Sequence, residues 1–286
     1  MMMHKEHVKW YVLLALLAAT ALVWYAILQE DREGKLKVAF LDVGQGDAIF
    51  IESPSGKQML IDGGPDQKVI RELGKQMPFY DRSIDLILVS NPDKDHIAGF
   101  IDILNRFRVG TVIEPGTFND SSIYAALEEA VKEEGASRII AFRGMKINLG
   151  GSAYFTILFP DRDISGLDTN TGSIVGKLTY RNTCFIFPGD APAAIEDYIT
   201  LIDEEYLKCE VLKVGHHGSR TSTSEQFVGL INPTYTVISL GKDNKYGHPH
   251  KEVLETLERF GAKTFRTDQL GTVLMYSDGE NVFLDR

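Results

Sequence analysis

The chain has 286 residues, 44% apolar, 10% aromatic and 24% charged, which is ordinary globular usage and excludes disordered, collagen-like and coiled-coil chains. Thirty basic residues against forty acidic ones give a net charge of −10, which excludes a broad basic face for nucleic acid but leaves room for a small metal-loaded cleft that handles phosphates. Two cysteines exclude a disulfide scaffold and a cysteine-rich zinc module.

Nineteen consecutive residues, Trp10 to Leu28, carry no charge. In a helix rising about 1.5 Å per residue they nearly span a hydrocarbon core of roughly 30 Å. Trp10, Tyr11, Trp24 and Tyr25 sit toward the two ends, where amphipathic rings favour the membrane interface. Lys5 and Lys9 precede the run, whereas Glu30, Asp31 and Glu33 outnumber Arg32 and Lys35 after it. This bias predicts a cytoplasmic tail over 1–9, a transmembrane signal anchor over 10–28 and a linker over 29–36. The body, 37–286, is then the extracytoplasmic part of a single-pass cell-membrane protein. A signal peptide cleaved near Ala19 and Ala21 and a core helix apolar on every side remain open.

Beyond the linker, Lys37–Val43, Ala48–Glu52 and Gln58–Ile61 read as short strands split by Gly-rich turns. A helix near Gln67–Gln76 leads to a buried strand at Asp85–Ser90. Helical spacing follows at Ile97–Phe107 and Ser121–Glu134, the second opened by serine caps. Strand-like runs return at Tyr154–Phe159, Ser173–Tyr180 and Cys184–Phe187. Next come a helix near Pro192–Ile202, a strand at Glu210–Val214 and a helix near Ser224–Leu230. A strand at Thr234–Leu240, a helix at Lys251–Phe260 and short terminal strands complete the chain. Strands in both halves with helices between them suit two packed sheets with helices outside. Cys184 and Cys209 adjoin apolar strand runs and read as buried free thiols, with a disulfide allowed outside the cytoplasm.

Candidate chemistry lies at strand ends. In S-N-P-D-K-D-H at 90–96, Asp93, Asp95 and His96 share a turn that can converge them on one point. Carboxylates with an imidazole suit Mn²⁺, Zn²⁺ or Fe²⁺ better than Ca²⁺; the plainer reading is a solvated helix cap. Asp190, in F-P-G-D-A, follows a strand and a glycine and is open to the same two readings. His216 and His217 lie between glycines after an apolar strand, and His248 lies between Gly247 and Pro249. Five of the seven histidines fall in these motifs, which indicates a metal site.

The chain resembles the metallo-β-lactamase-type domain of the ComEC competence-protein family. The matching segments are F-L-D-V-G-Q-G-D-A (40–48), L-I-D-G-G (60–64), D-K-D-H (93–96), F-P-G-D (187–190), G-H-H-G-S (215–219) and Y-G-H-P (246–249). The resemblance implies an α/β fold, the αββα metallo-β-lactamase sandwich, with a metal cleft along one sheet edge. In that family the domain is attached to a multi-helix DNA channel and is thought to degrade the non-transported strand. Carried over residue by residue, the resemblance implies Asn91 and Asp93 for a first metal. It implies Asp95, His96 and His216 for a second, with Asp190 bridging and Asp62 orienting a ligand. His217 and His248 are left to contact substrate phosphate or leaving group. One or two divalent ions, zinc or manganese, would serve a hydrolase, with DNA or another phosphodiester as the expected substrate.

Arg181, Lys213, Arg220, Lys242 and Lys245 lie beside the motifs and are candidates to track a strand's phosphates. A hydrolase of a lactone, β-lactam or phosphocholine ester, favoured by the acidic charge, is the second reading. A binding protein with a degenerate metal site, suggested by Asn91, is the third.

Overall fold

The computed structural model describes residues 3–30 and 34–285, which fall into two compact units dividing at Gly34. The first unit is one helix, α1 (Met3–Glu30). Its 28 residues extend about 42 Å at the standard helical rise. The described stretch His7–Tyr25 is long and apolar enough to cross a membrane, and apolar side chains within it are exposed all around the axis. The helix takes in residues 3–9 of the expected tail. Residues 31–33 of the expected linker lie outside the described residues.

The second unit opens with β1 (Leu36–Phe40), β2 (Ile49–Glu52) and β3 (Gln58–Ile61), paired antiparallel in sequence. Helix α2 (Lys68–Leu73) leads to β4 (Ser83–Leu88), α3 (Lys94–Leu104) to β5 (Arg108–Glu114), and α4 (Ser122–Glu134) to β6 (Ser137–Ile140). Strands β3 to β6 run parallel. An antiparallel meander follows, formed by β7 (Lys146–Gly150), β8 (Ala153–Phe159), β9 (Val175–Tyr180) and β10 (Thr183–Phe187). Then α5 (Ala193–Asp203), β11 (Val211–Lys213), α6 (Glu225–Ile231), β12 (Tyr235–Ile238), α7 (Lys251–Arg259) and β13 (Lys263–Arg266) alternate, with the strands parallel from β10 to β13. A short α8 (Thr267–Leu270) and a hairpin, β14 (Val273–Ser277) and β15 (Val282–Leu284), return the chain to β1.

Two sheets result, ordered β15-β14-β1-β2-β3-β4-β5-β6 and β13-β12-β11-β10-β9-β8-β7. Residues of both meet in one apolar layer that includes Ile61, Leu86, Leu88, Phe155, Phe185 and Phe187. The alternate residues Phe50, Leu60 and Ile87 face α2, α3 and α4. On the far side, Ile186 and Leu212 meet α5, α6 and α7. Successive strand side chains point to opposite faces, so a strand covered on both sides is apolar throughout. That is why D-L-I-L-V reads as a continuous run. The architecture is the αββα sandwich.

Three strands were not expected. β5 is interrupted by Gly110, where an added Cβ would stand 2.7 Å from the Asp85 carbonyl oxygen; the close approach of β4 demands glycine and breaks the β-branched pattern. β6 is a four-residue edge strand with every residue exposed, and β7 is also short and mostly outside the core. The expected free thiols are corrected too. Cys184 and Cys209 form a disulfide with Cα atoms 5.3 Å apart, because the parallel register Phe185↔Val211 sets two cysteines 25 residues apart side by side.

All three apolar layers belong to the second unit. A chain truncated to begin at Gly34 is therefore expected to be soluble and to unfold in one cooperative step, while the full chain partitions into detergent. Aggregation or non-cooperative melting of the truncated chain would show that α1 supplies part of the core.

Candidate metal centre

In both sheets the parallel strands end at the same edge, and the motifs leave from their carboxyl ends, the usual place for ligands in α/β sheets. Asp62 follows β3, Asn91–His96 follow β4, Asp190 follows β10, His216 and His217 follow β11, and Ser239 follows β12. The first turn of α3 is stitched to the L-I-D-G-G turn. Gly63 N–H donates to the His96 carbonyl at 2.6 Å and Gly99 N–H to the Gly64 carbonyl at 3.0 Å. A Cβ on Gly99 would lie 2.0 Å from the Gly63 carbonyl oxygen, so no larger residue allows this approach. The turn carrying the two histidines is a 3₁₀ segment, Gly215–Gly218, in which His216 and His217 take left-handed φ values of 45° and 55°. Such backbone costs about 1–3 kcal/mol per residue and persists only where surrounding contacts impose it.

His96 is fully buried. Its Nδ1 lies 2.8 Å from Asp62 Oδ2, and Asp62 also accepts from Ser90 N–H at 2.7 Å and Ser90 Oγ at 2.5 Å. With Asp62 surrounded by donors, Nδ1 carries the proton and Nε2 is left to bind an ion, the usual carboxylate–histidine–metal arrangement. His217 is set the same way: its Nδ1 donates to the Ser239 carbonyl at 3.0 Å. His96 Nε2 is 3.1 Å from Asp190 Oδ2. His217 Nε2 is 3.4 Å from Asp95 Oδ2 and 3.8 Å from Asp190 Oδ2. Both Nε2 atoms and Asp190 Oδ1 are buried without a hydrogen-bond partner. Buried polar atoms are rarely left so, and a divalent cation among them would satisfy all three.

Ligand atoms of Asp47, His96, Asp190 and His217 lie within 4.8 Å of one another, but Asp47 stands on the other side of the rings. It is 3.5 Å from Nδ1 of His217 and 3.9 Å from Nδ1 of His96, while the orphaned Nε2 atoms point away from it. Asp95, His96, Asp190 and His217 can hold one ion with Asp47 behind them, an arrangement that exchanges the roles expected of His216 and His217. Asp47 pairs with Lys213, and both are 1% exposed. Burial would raise the Asp47 pKa, but the Lys213 ammonium and His217 outweigh it and hold the carboxyl well below the usual range. Lys213 Nζ also lies 3.5 Å from the Gly189 carbonyl, tying the G-Q-G-D loop to the P-G-D turn.

Burial disfavours charge on His96 and His217, yet the carboxylates win. Asp190 and Asp62 lift His96 well above its ordinary value, and Asp190 and Asp47 bring His217 to about 10. Asp190 is driven low despite its burial, chiefly by His96 and His217. Without an ion the cluster is held together by protons, which a cation must displace.

The remaining residues expected at the site fall in three places. His216 is at the opening, its Nε2 3.6 Å from Asp190 Oδ2 and its Nδ1 3.2 Å from Thr221 Oγ1. His248 stands next to it, ring centroids 5.8 Å apart; burial and the neighbouring imidazoles push it down to about 4. Asn91 and Asp93 border the cluster, where they are held by neutral partners. Asn91 Oδ1 accepts from Asp93 N–H at 2.9 Å and its amide donates to Asn170 Oδ1 at 2.7 Å. Asp93 accepts from Asn119 Nδ2 at 2.9 Å and Thr169 Oγ1 at 3.0 Å. Neutral side chains thus hold both residues in place beside the cluster, while the unpartnered buried atoms belong to His96, His217 and Asp190.

Sequence reasoning missed Asp47 as a site residue, although its motif was conspicuous, because a carboxylate in a glycine loop shows no ligand spacing. It also misjudged Lys213, expected to track phosphates; the buried pair with Asp47 rules that out. Arg181, in the turn between β9 and β10 with its Nη1 donating to the Asp278 carbonyl at 3.3 Å, is at the opposite end of β10 from Asp190. Glu196 in α5 gave no signal either. Its carboxylate accepts from Thr223 N–H at 2.9 Å and Ser224 N–H at 2.8 Å, fixing the loop whose Thr221 braces His216. Burial pushes Glu196 up to about 7 in spite of these donors.

A family model described as the metallo-beta-lactamase superfamily matches residues 41–242. ComE operon protein 3 of Bacillus subtilis (strain 168) is 30% identical over 254 residues, covering 83% of this chain and 32% of that protein. Recombination protein 2 of Haemophilus influenzae is 30% identical over 255 residues, covering 87% and 29%. The chain therefore spans about a third of the length of the curated relatives it matches. Among solved structures, CmlA, a diiron β-hydroxylase from Streptomyces venezuelae, superposes with a TM-score of 0.54 at 13% identity, over 81% of this chain and 52% of that one. This last likeness is one of fold.

Two predictions follow from the buried charges. Lys213→Met leaves Asp47 unpaired in the interior and is expected to destabilise the protein by about 3–5 kcal/mol in urea unfolding. Adding Asp47→Asn should recover much of that loss, and a single variant of native stability would show the pair to be idle. For Glu196, a folded pKa of about 7 against about 4.3 in an unfolded chain means the native state keeps a proton that the unfolded chain has released. Its contribution is full below the lower value and lost as pH rises to the upper one, about 3 kcal/mol in all. The stability difference between the native protein and Glu196→Gln should shift by that order between pH 4.5 and pH 8. A difference constant with pH would mean that Glu196 is ionised throughout.

Proposed function

The chain belongs to the metallo-β-lactamase superfamily, and from that premise we propose that it is a membrane-anchored, extracytoplasmic phosphodiesterase acting on DNA. The observation that carries the hydrolytic part is the convergence of His96 Nε2, His217 Nε2 and Asp190 Oδ1, buried and unpartnered, beside the Asp95 carboxylate. The phosphodiester part is supported by the similarity to the competence-related ComE operon protein 3 over 83% of the chain. The disulfide Cys184–Cys209 favours an oxidising compartment, in line with the basic residues before the uncharged run Trp10–Leu28 and the acidic ones after it.

In this reading Asp95, His96, Asp190 and His217 hold one divalent ion, zinc or manganese. Bound there, such an ion supplies Lewis acidity and lowers the pKa of a coordinated water toward about 7. Asp62 and the Ser239 carbonyl fix the two imidazoles by their Nδ1 protons, and Asp47 reinforces both from behind. His217 is committed and buried, so the proton for the leaving oxygen falls to His216, the imidazole at the opening. Burial lowers its pKa in the free protein, and a phosphodiester anion beside it would raise it again. His248, held neutral, orients the substrate through hydrogen bonding.

Asp190→Asn removes the carboxylate shared by both imidazoles. Metal content by elemental analysis should fall, and hydrolysis of single-stranded DNA should drop by at least about a hundredfold, the low end for losing a group that stabilises transition-state charge. The fold should survive, because Asp190 lies beyond β10. Near-native hydrolysis in this variant would reduce Asp190 to a helix-leading turn residue. A native protein that cleaves lactones, β-lactams or phosphocholine esters but no nucleic acid would replace the DNA reading with the one its net charge of −10 favours.

A further inference from the structure

Two exposed aromatic side chains lie on loops that leave the carboxyl ends of strands in the two different sheets, β5 and β12, each loop tied to a residue that borders the metal centre. Tyr246, 53% exposed, stacks on His248 with ring centroids 5.6 Å apart and planes 25° from parallel. Asn244 makes the Tyr246 loop rigid: its amide donates to the carbonyls of Gly241 at 3.1 Å and His248 at 2.7 Å. Its Oδ1 accepts from Tyr246 N–H at 3.2 Å and His248 N–H at 3.0 Å. Phe118, 76% exposed, occupies the loop after β5, with its ring tilted against Tyr124 at 5.9 Å. The next residue, Asn119, holds Asp93 at 2.9 Å.

A single exposed aromatic is ordinary. Here the loops of both rings are hydrogen-bonded to residues bordering one buried cluster, Asp93 and His248, and are held there before any ligand arrives. Exposed cations accompany them: Lys94 beside Asp93, and Lys242 and Lys245 on the Tyr246 loop. Lys245 Nζ lies 5.2 Å from the Tyr246 ring centre, close enough to meet a phosphate next to a ring stacked there. Aromatic shelves alternating with cations are the pattern that holds unpaired bases along a strand. A duplex hides its base faces and cannot use them.

We infer that Tyr246 and Phe118 are stacking shelves for the two nucleobases flanking the scissile phosphate, so that the site takes single-stranded rather than duplex nucleic acid. This rests on the phosphodiesterase reading above.

The test is fluorescence anisotropy with the full, metal-loaded chain in detergent and phosphorothioate linkages in every probe to slow turnover. The probes are a labelled short oligothymidylate, an abasic oligomer of the same length and a labelled DNA hairpin duplex. The native chain should prefer the oligothymidylate to both others. Tyr246→Ala and Phe118→Ala should each weaken oligothymidylate binding about tenfold, Tyr246→Phe should not, and abasic binding should be the same in every variant. Equal native affinity for thymidylate and abasic strands, or for single strand and duplex, would overturn the inference, as would alanine variants that bind like the native chain. Hydrolysis of the two single strands, made with ordinary phosphodiester linkages, by the native chain with added Mn²⁺ is read separately. Failure to cut either one sinks the phosphodiesterase reading, whereas cutting without a base effect on binding sinks the shelves alone.

Discussion

Three aspartates, Asp47, Asp62 and Asp190, are buried within a few ångströms of the same pair of imidazoles. Taking carboxylates out of water is expensive unless each has a cation or a full set of donors, and every other feature of the site follows from how the three are answered. Asp47 has Lys213. Asp62 has two donors from Ser90 and the Nδ1 proton of His96. Asp190 has only the imidazole edges, and its Oδ1 has nothing. The unanswered atoms, Asp190 Oδ1 and the two Nε2 atoms, meet at one point, and that convergence marks an ion's position more closely than any single distance.

The same requirement explains the backbone. Lys213 ends β11 and must stay in the interior to reach Asp47, so the chain has to turn at once to deliver His217 to the other side of the cluster. Two successive left-handed histidines achieve that turn. Its framing contacts are backbone ones: His216 N–H to the Gly189 carbonyl at 3.1 Å and His250 N–H to the Gly218 carbonyl at 2.9 Å. On the facing sheet, Gly46 lets Asp47 N–H reach the Asp95 carbonyl at 3.2 Å; a Cβ there would lie 2.2 Å from that oxygen. The motif glycines are spacers that let loops from two sheets close on one point.

Much of this was legible in the sequence. β3 and α4 were expected within a residue of where they lie, because a short apolar run bounded by turns and a serine cap are local signals. His96, Asp190, His216 and His217 were identifiable because imidazoles and carboxylates collected at strand ends. What was not legible depends on partners distant in sequence. Nothing near Lys213 announces that Asp47, 166 residues away, will neutralise it, and so it read as a surface cation. Asn91 and Asp93 read as ligands by position in a motif; only the fold brings Asn119, Thr169 and Asn170 onto them. The cysteines read as free because pairing depends on a parallel register that spacing cannot supply.

Sharing a fold with a diiron β-hydroxylase shows that the sandwich does not choose the reaction, so the argument for DNA must come from the rim of the site. There the global charge and the local charge oppose each other. A body carrying −10 repels a long polyanion, and of the five cations first considered only Arg220, Lys242 and Lys245 are both exposed and beside the centre. Repulsion beyond the rim is screened over roughly 8 Å at physiological salt. In the proposed reading a strand would be held only over the few nucleotides that the rim covers, where an ion in the cluster would add its own positive field. On that reading the favoured substrate offers little phosphate and much base surface within a short reach. A single strand entering the cleft fits that description, whereas a duplex would bring more phosphate into the field of a chain of net charge −10.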